Sequence, residues 1–468
     1  MSVALADRLL ALLKAHGFSA DTADEKTASL VQCDRALDAM GAAHIARITV
    51  WAPGRVELFG KHTDYAGGRS LLTAVERGFC VRVAPRRDAL VRVHGFELAR
   101  DAAPHAPSVS CEIPLSAAAT APDGHWSNYV ATVARRVGVN FPGATTGADI
   151  AFVSDLPQAA GASSSTALMI SIFLAIAAVN RLQNTATWQA SISSRADLAG
   201  YLGAMEMGGP YRDLAGLPGV GTLGGSQDQT AILCSEPGRV VDFRWMPIRQ
   251  VGAYALPAAY RFVIGNCGIV AEKSAGARER YNRVSLMVRH LLTSWNAQTG
   301  RADHSLAAAA ESSAEAPDAL RAMLPSMATP VFSAETLRHR LDQFLLETYT
   351  LIPAAAAAFK SGDWQTVGEI TTRSQHAAEV MLGNQIPETI GLVRLAREQG
   401  AIAASAFGAG FGGSVWALLP ASATGDAAAA FPARWAAAYR EQFPAAATRA
   451  MFFSTGAGPA AMQWPDDA

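Results

Sequence analysis

Lysine is nearly absent from this chain. Of 39 basic residues in 468, only Lys14, Lys26, Lys61, Lys273 and Lys360 are lysines, so a lysine inside a motif stands out. Cysteine is also sparse. Cys33, Cys80, Cys111, Cys234 and Cys267 are odd in number, far apart and without C-x-x-C spacing. That excludes a disulfide framework and a cysteine-based zinc site, and it fits a reducing cytoplasm. No run of about 18 apolar residues exists, so no membrane-spanning helix is expected. The net charge is −1, which argues against a nucleic-acid surface or a polybasic membrane patch. The stretch "MSVALADRLLALLKAHGFSADTADEK" is charged throughout and lacks an apolar core followed by a small-residue cleavage site, so no signal peptide is expected.

What is present is a globular composition, 50% hydrophobic and 17% charged. A single core stops growing at roughly 250–300 residues, so two domains are expected. Residues 1–45 read as a helical N-terminal extension, 46–250 as a first domain and 251–468 as a second. The runs "RITVWA", "GFCVRVAPR", "ALVRVHGF", "VSCEIPL" and "ADIAFVSDLP" read as strands. "SSSTALMISIFLAIAAVNRL" and "SSRADLAGYLGAMEMG" read as helices. "TAILCSEPGRVVDFRW" reads as strand, turn, strand. After a strand at "YRFVIGN", long helices are expected at about 271–298, 335–360 and 386–400, with 299–318 a flexible excursion. The class is α+β.

Three glycine-rich stretches carry the chemistry. The first, "GRVELFGKHTDYAGG" (54–68), fails as a P-loop: Arg55 stands where the first glycine belongs, and His62 replaces the magnesium-holding Ser/Thr. Its density of Arg55, Lys61, His62, Asp64 and Tyr65 suits either a polyol pocket or a solvated turn. The second, "LPQAAGASSSTALMIS" (156–171), places Ala160, Gly161, Ala162, Ser163, Ser164, Ser165 and Thr166 where a strand gives way to a helix. Small residues at a helix N-terminus suit a polyphosphate, although one serine would also serve as an ordinary cap. The third, "FGAGFGGSVWALL" (407–419), implies close backbone approach to a ligand or another loop. Between the last two lies "GGSQDQTAIL", where Asp228 is either a proton acceptor or a turn aspartate.

Together these stretches resemble the galactokinase branch of the GHMP small-molecule kinases, from about residue 45 to the last strand. "GRVELFGKHTDYAGG" is similar to the branch signature G-R-V-N-L-I-G-E-H-T-D-Y-N-G-G. The other two resemble the phosphate loop P-x-G-A-G-L-S-S-S-A-A and the C-terminal loop G-A-G-F-G-G-C. The resemblance implies a ribosomal-S5-domain-2-like N-terminal domain and a ferredoxin-like C-terminal domain with the active site between them. It implies an ATP-dependent sugar 1-kinase with ATP and Mg2+, cytoplasmic, with sugar and ATP as partners; a monomer is compatible with the sequence. By resemblance Asp228 is the catalytic base and Arg55 its neighbour. Lys61, His62, Asp64, Gly225 and Tyr281 fall at substrate-binding positions, and residues 160–166 hold ATP. Ser165 and Glu206 are the magnesium ligands.

The chain departs from the pattern in four places. Lys61 replaces a glutamate. Either it attracts a carboxylate, making a uronic acid the substrate, or it pairs with Glu57, which replaces an asparagine. Ala159 replaces the first glycine of the phosphate loop. The interval from Glu206 to Asp228 is longer than in the family. The register around Tyr281 in "ARERYNRVS" slips by two. With Ser163, Ser164, Ser165 and Asp228 all present, a non-catalytic sugar sensor is the weaker alternative.

Overall fold

The computed structural model describes residues 3–97, 107–156, 163–269, 275–420 and 426–465. Twelve strands are present among them: β1 Ile48–Phe59, β2 Arg69–Pro85, β3 Leu90–Phe96, β4 Val109–Pro114, β5 Ala148–Ser154, β6 Arg239–Arg244, β7 Arg249–Ala255, β8 Arg261–Asn266, β9 Ala403–Phe407, β10 Ser414–Leu419, β11 Met451–Thr455 and β12 Met462–Pro465. The first eight-stranded sheet runs β12-β1-β2-β5-β3-β4, and the β6–β7 hairpin is attached to β2. Only β3 and β5 pair in parallel.

Alternation along β5 shows how that sheet is covered. Ile150 and Phe152 join the core around the Ser164–Val179 helix, whereas Ala151 and Val153 join Cys33 and Leu37 of the N-terminal extension. A strand buried on both faces favours apolar residues at successive positions, which explains the run "IAFV" (150–153), flanked by Asp149, which pairs with Arg86 and Arg92, and by Ser154. The Ser164–Val179 helix is apolar all round because it lies wholly inside.

The second sheet has the order β11-β8-β10-β9, every pair antiparallel. In chain order that is 4-1-3-2, the ferredoxin-like arrangement. A separate helical core formed by Val284, Leu291, Trp295, Leu306, Leu320, Leu341 and Phe344 packs against Ala66 and Tyr65 of the first glycine-rich turn.

Several expectations need correcting. "TAILC" is part of a helix, Gln227–Cys234, not a strand; a short apolar run does not distinguish the two. The segment 299–318 is no loose excursion. Leu306–Ala310 and the start of Ala316–Met327 are helical, and Leu306, Ala309 and Ala316 are buried. The helix expected at 335–360 is broken by a π-turn at Glu347–Leu351. The boundary at 250 cuts into β7, and β12 returns from the far end of the chain to pair with β1.

Candidate active site

Two irregularities in β1 set the site. The β1–β2 register shifts between Pro53 and Arg55 and again between Glu57 and Phe59. Bulges re-aim side chains, and Arg55 and Glu57 lie between them. Both face a cavity of about 820 Å3. Arg55 donates from Nε and Nη2 to Asp228 Oδ1, each at 2.7 Å. Ser163, with φ +58 at the head of the Ser164–Val179 helix, donates its hydroxyl to Asp228 Oδ2. One carboxylate therefore joins the first glycine-rich stretch to the serine-bearing helix start.

The turn after β1 is built rigidly. Thr63 Oγ1 bonds the carbonyls of Gly60 at 2.9 Å and Arg69 at 2.6 Å. Arg340, fully buried, donates to the carbonyl of His62 at 2.5 Å, holding that residue at φ +56. The His62 Nε2 faces the Ala409 carbonyl at 3.2 Å and must donate, which leaves Nδ1 to accept from Tyr65 at 2.9 Å. Burial, then the Arg340 charge, lowers the His62 pKa to about 4, so the ring is neutral at pH 7. Burial raises Asp64 to about 6. Its Oδ2 accepts from the Gln227 backbone N–H at 3.1 Å. Gly225 lies so close that a Cβ there would stand 2.0 Å from Asp64 Oδ2. Asp64, His62, Gly225 and Tyr281 all line the cavity.

Lys61 does not line it, which corrects its substrate-binding assignment. It is 1% exposed, and its Nζ donates to Ser374 Oγ at 3.2 Å. Ser374 in turn donates to Glu347, which also accepts the Gly60 N–H at 2.8 Å. Glu57 is equally buried, and burial raises its pKa to about 7 against the opposing charges of Lys61 and Arg55. The ammonium thus sits among buried carboxylates, bonded to Ser374, and is not among the residues that line the cavity.

Ser163, Ser164, Ser165 and Thr166 line the cavity; Ala160, Gly161 and Ala162 lie outside the described residues. Glu206 Oε2 accepts from Thr166 Oγ1 at 3.0 Å and from Gln229 Nε2 at 2.7 Å. The long interval after Glu206 folds back on itself: the Val220 N–H bonds the Glu206 carbonyl at 2.9 Å. The interval closes as a loop at its base, and Glu206 still lines the cavity with Asp228, bonding the side chain of its neighbour Gln229. An aromatic wall of Phe79, Phe96, Trp126, Tyr129 and Phe152 completes the cavity. Sequence reasoning missed it, because Phe79, Phe96 and Phe152 on strands read as core, and Trp126 and Tyr129 come from the start of the Ser127–Asn140 helix, far from them in sequence.

The comparisons with known proteins agree with this layout. The model of the galactokinase galactose-binding signature matches residues 39–85, and that of the GHMP kinase C-terminal region matches 355–441. The chain is thus similar, at both ends, to the galactokinase branch of the GHMP kinases. A galactokinase of Glaesserella parasuis is 40% identical over 124 residues, 26% of this chain and 30% of the relative. The chain thus matches about a third of the length of the first curated relatives. One from Streptomyces coelicolor is 27% identical over 380 residues, 80% of this chain and 85% of the relative. The Lactococcus lactis galactokinase solved with galactose superposes with a TM-score of 0.68 at 22% identity, covering 92% of this chain and 98% of that one. It shares the GHMP kinase fold. Among the described residues no helix is long and apolar enough to cross a membrane.

Proposed function

We propose that this chain is an ATP-dependent sugar 1-kinase acting on galactose or a closely related hexose. The observation that carries the reading is the Asp228 carboxylate, bonded on one oxygen by Arg55 and on the other by Ser163 inside one cavity. With Oδ1 held by Arg55, Oδ2 is the oxygen that takes the proton of an acceptor hydroxyl, at the position where the Ser163 hydroxyl now stands. Asp64, neutral His62 and Tyr281 supply acceptors and donors that fix the sugar. The start of the Ser164–Val179 helix offers N–H groups and a positive dipole end to the phosphates. The aromatic wall offers a stacking surface for adenine. Orientation and charge neutralisation then supply most of the acceleration.

The oxygen donors present fit magnesium. Thr166 Oγ1 and Glu206 Oε2 lie 3.0 Å apart beside Ser165. Among the described residues no cluster of three or more His, Cys, Asp or Glu could cage a metal. That suits an ion held mainly by phosphate oxygens with one or two protein oxygens. Ser165 and Glu206 would hold it, and bound there it would neutralise phosphate charge.

An ADP-coupled assay with galactose tests the reading. Turnover with galactose is expected; no ADP release with any hexose would overturn it. Gly225→Ala is a sharper probe of the sugar end. Its Cβ would displace the Asp64 carboxylate, so the KM for sugar is expected to rise at least several-fold while the KM for ATP stays unchanged.

A further inference from the structure

The N-terminal extension carries a charge toward the nucleotide end of the cavity. Lys26, on the Ala20–Leu37 helix, is 3% exposed. Its Nζ donates to Asp155 Oδ2 at 2.5 Å and stands 5.6 Å from the centroid of the Trp51 ring. A desolvated ammonium persists only when paired, so this contact is specified rather than incidental. Asp155 directly follows β5. Its Oδ1 accepts the Gly78 N–H of β2 at 2.8 Å, and its carbonyl accepts from Arg77 Nη1 at 3.3 Å.

That one carboxylate therefore ties together the extension, β2 and the end of β5. The residues beside these ties line the cavity: Phe79 follows Gly78, and Ser154 and Leu156 flank Asp155. Phe79 is paired with Ser154 across the strands, and its ring lies 5.2 Å from that of Phe152. None of these residues belongs to the sugar-reading turn at 54–68. The extension is itself anchored by a second buried charge, Asp34, which meets Arg82 at 2.9 Å and Arg47 at 2.5 Å.

We infer that Lys26 is a positioning residue for the nucleotide: through Asp155 it fixes the aromatic wall on which the ATP base rests, without touching the ligand. The inference rests on the kinase reading, and binding measured without turnover separates the two. Titrating ATP and galactose separately by calorimetry, Lys26→Met is expected to weaken ATP binding by roughly tenfold and leave galactose binding unchanged. Lys26→Arg, which keeps the charge pair, should recover most of the ATP affinity. A folded Lys26→Met that loses both affinities equally, or neither, would overturn the inference. If Lys26→Met does not fold, Asp155→Asn decides. It keeps an oxygen for Gly78 and removes only the charge, and unchanged ATP affinity there would equally overturn it. A wild-type protein that binds neither ATP nor galactose would remove the kinase reading itself and this inference with it.

Discussion

Asp228→Asn is expected to lower kcat by about 10²–10⁴-fold while ATP affinity stays nearly intact. The substitution is close to isosteric. Arg55 keeps an oxygen to bond, and the new amide can donate to the Ser163 hydroxyl, so the local hydrogen-bond pattern survives with its direction reversed. What is lost is the basic oxygen that accepts the proton of the attacking hydroxyl. Steady-state kinetics with galactose and ATP, beside an ATP titration, make the check. A variant with wild-type kcat would show that the proton leaves by another route. A variant that binds no ATP would show that Asp228 organises the phosphate site instead.

The second large effect concerns stability. Lys61→Glu would restore the residue type of the branch signature, yet it should destabilise the protein by about 3–5 kcal/mol. Lys61 lies among Glu57, Ser374 and Glu347, all nearly inaccessible to solvent. A third carboxylate there would remove the ammonium whose charge opposes the upward shift of Glu57, and would add repulsion of the same sign. Thermal unfolding should show a clearly lower melting temperature, with greater loss above about pH 7, where Glu57, raised to about 7 by burial, is ionised. Equal stability together with a changed sugar preference would mean that the ammonium faces the substrate after all.

These two residues also show what a sequence can convey. That Asp228, Arg55, His62 and Asp64 meet in one cavity was legible because they stand in short motifs where residue type and spacing go together. Strands β1 to β6 of the first sheet were legible as apolar or alternating runs, whereas the largely exposed β7 and the short β12 were not read as strands. For Lys61 the local pattern offered two readings, and the pairing with Glu57 is the one its burial favours; the rest of its environment, Glu347 and Ser374, lies nearly 300 residues further on, where no local pattern reports it. The loop after Glu206 hid in the same way. Its length suggested separation, and only the backbone bond from Val220 to Glu206 reveals that it closes on itself. The aromatic wall gave no signal, because Phe79 and Phe152 are spaced as any core residues would be. "TAILC" was misread because so short a run, four apolar residues after a threonine, suits either period.

The return of β12 to β1 bears on how the chain is made. Residues 462–465 supply the edge partner of 48–51, and Trp464 packs with Leu9 and Leu13 of the extension. During synthesis the leading lobe emerges from the ribosome with that edge unpaired, and it is completed only when the tail arrives. An exposed β-edge is a template for wrong pairing, so a nascent chain stalled before residues 462–465 have emerged would be a sticky species rather than a finished half.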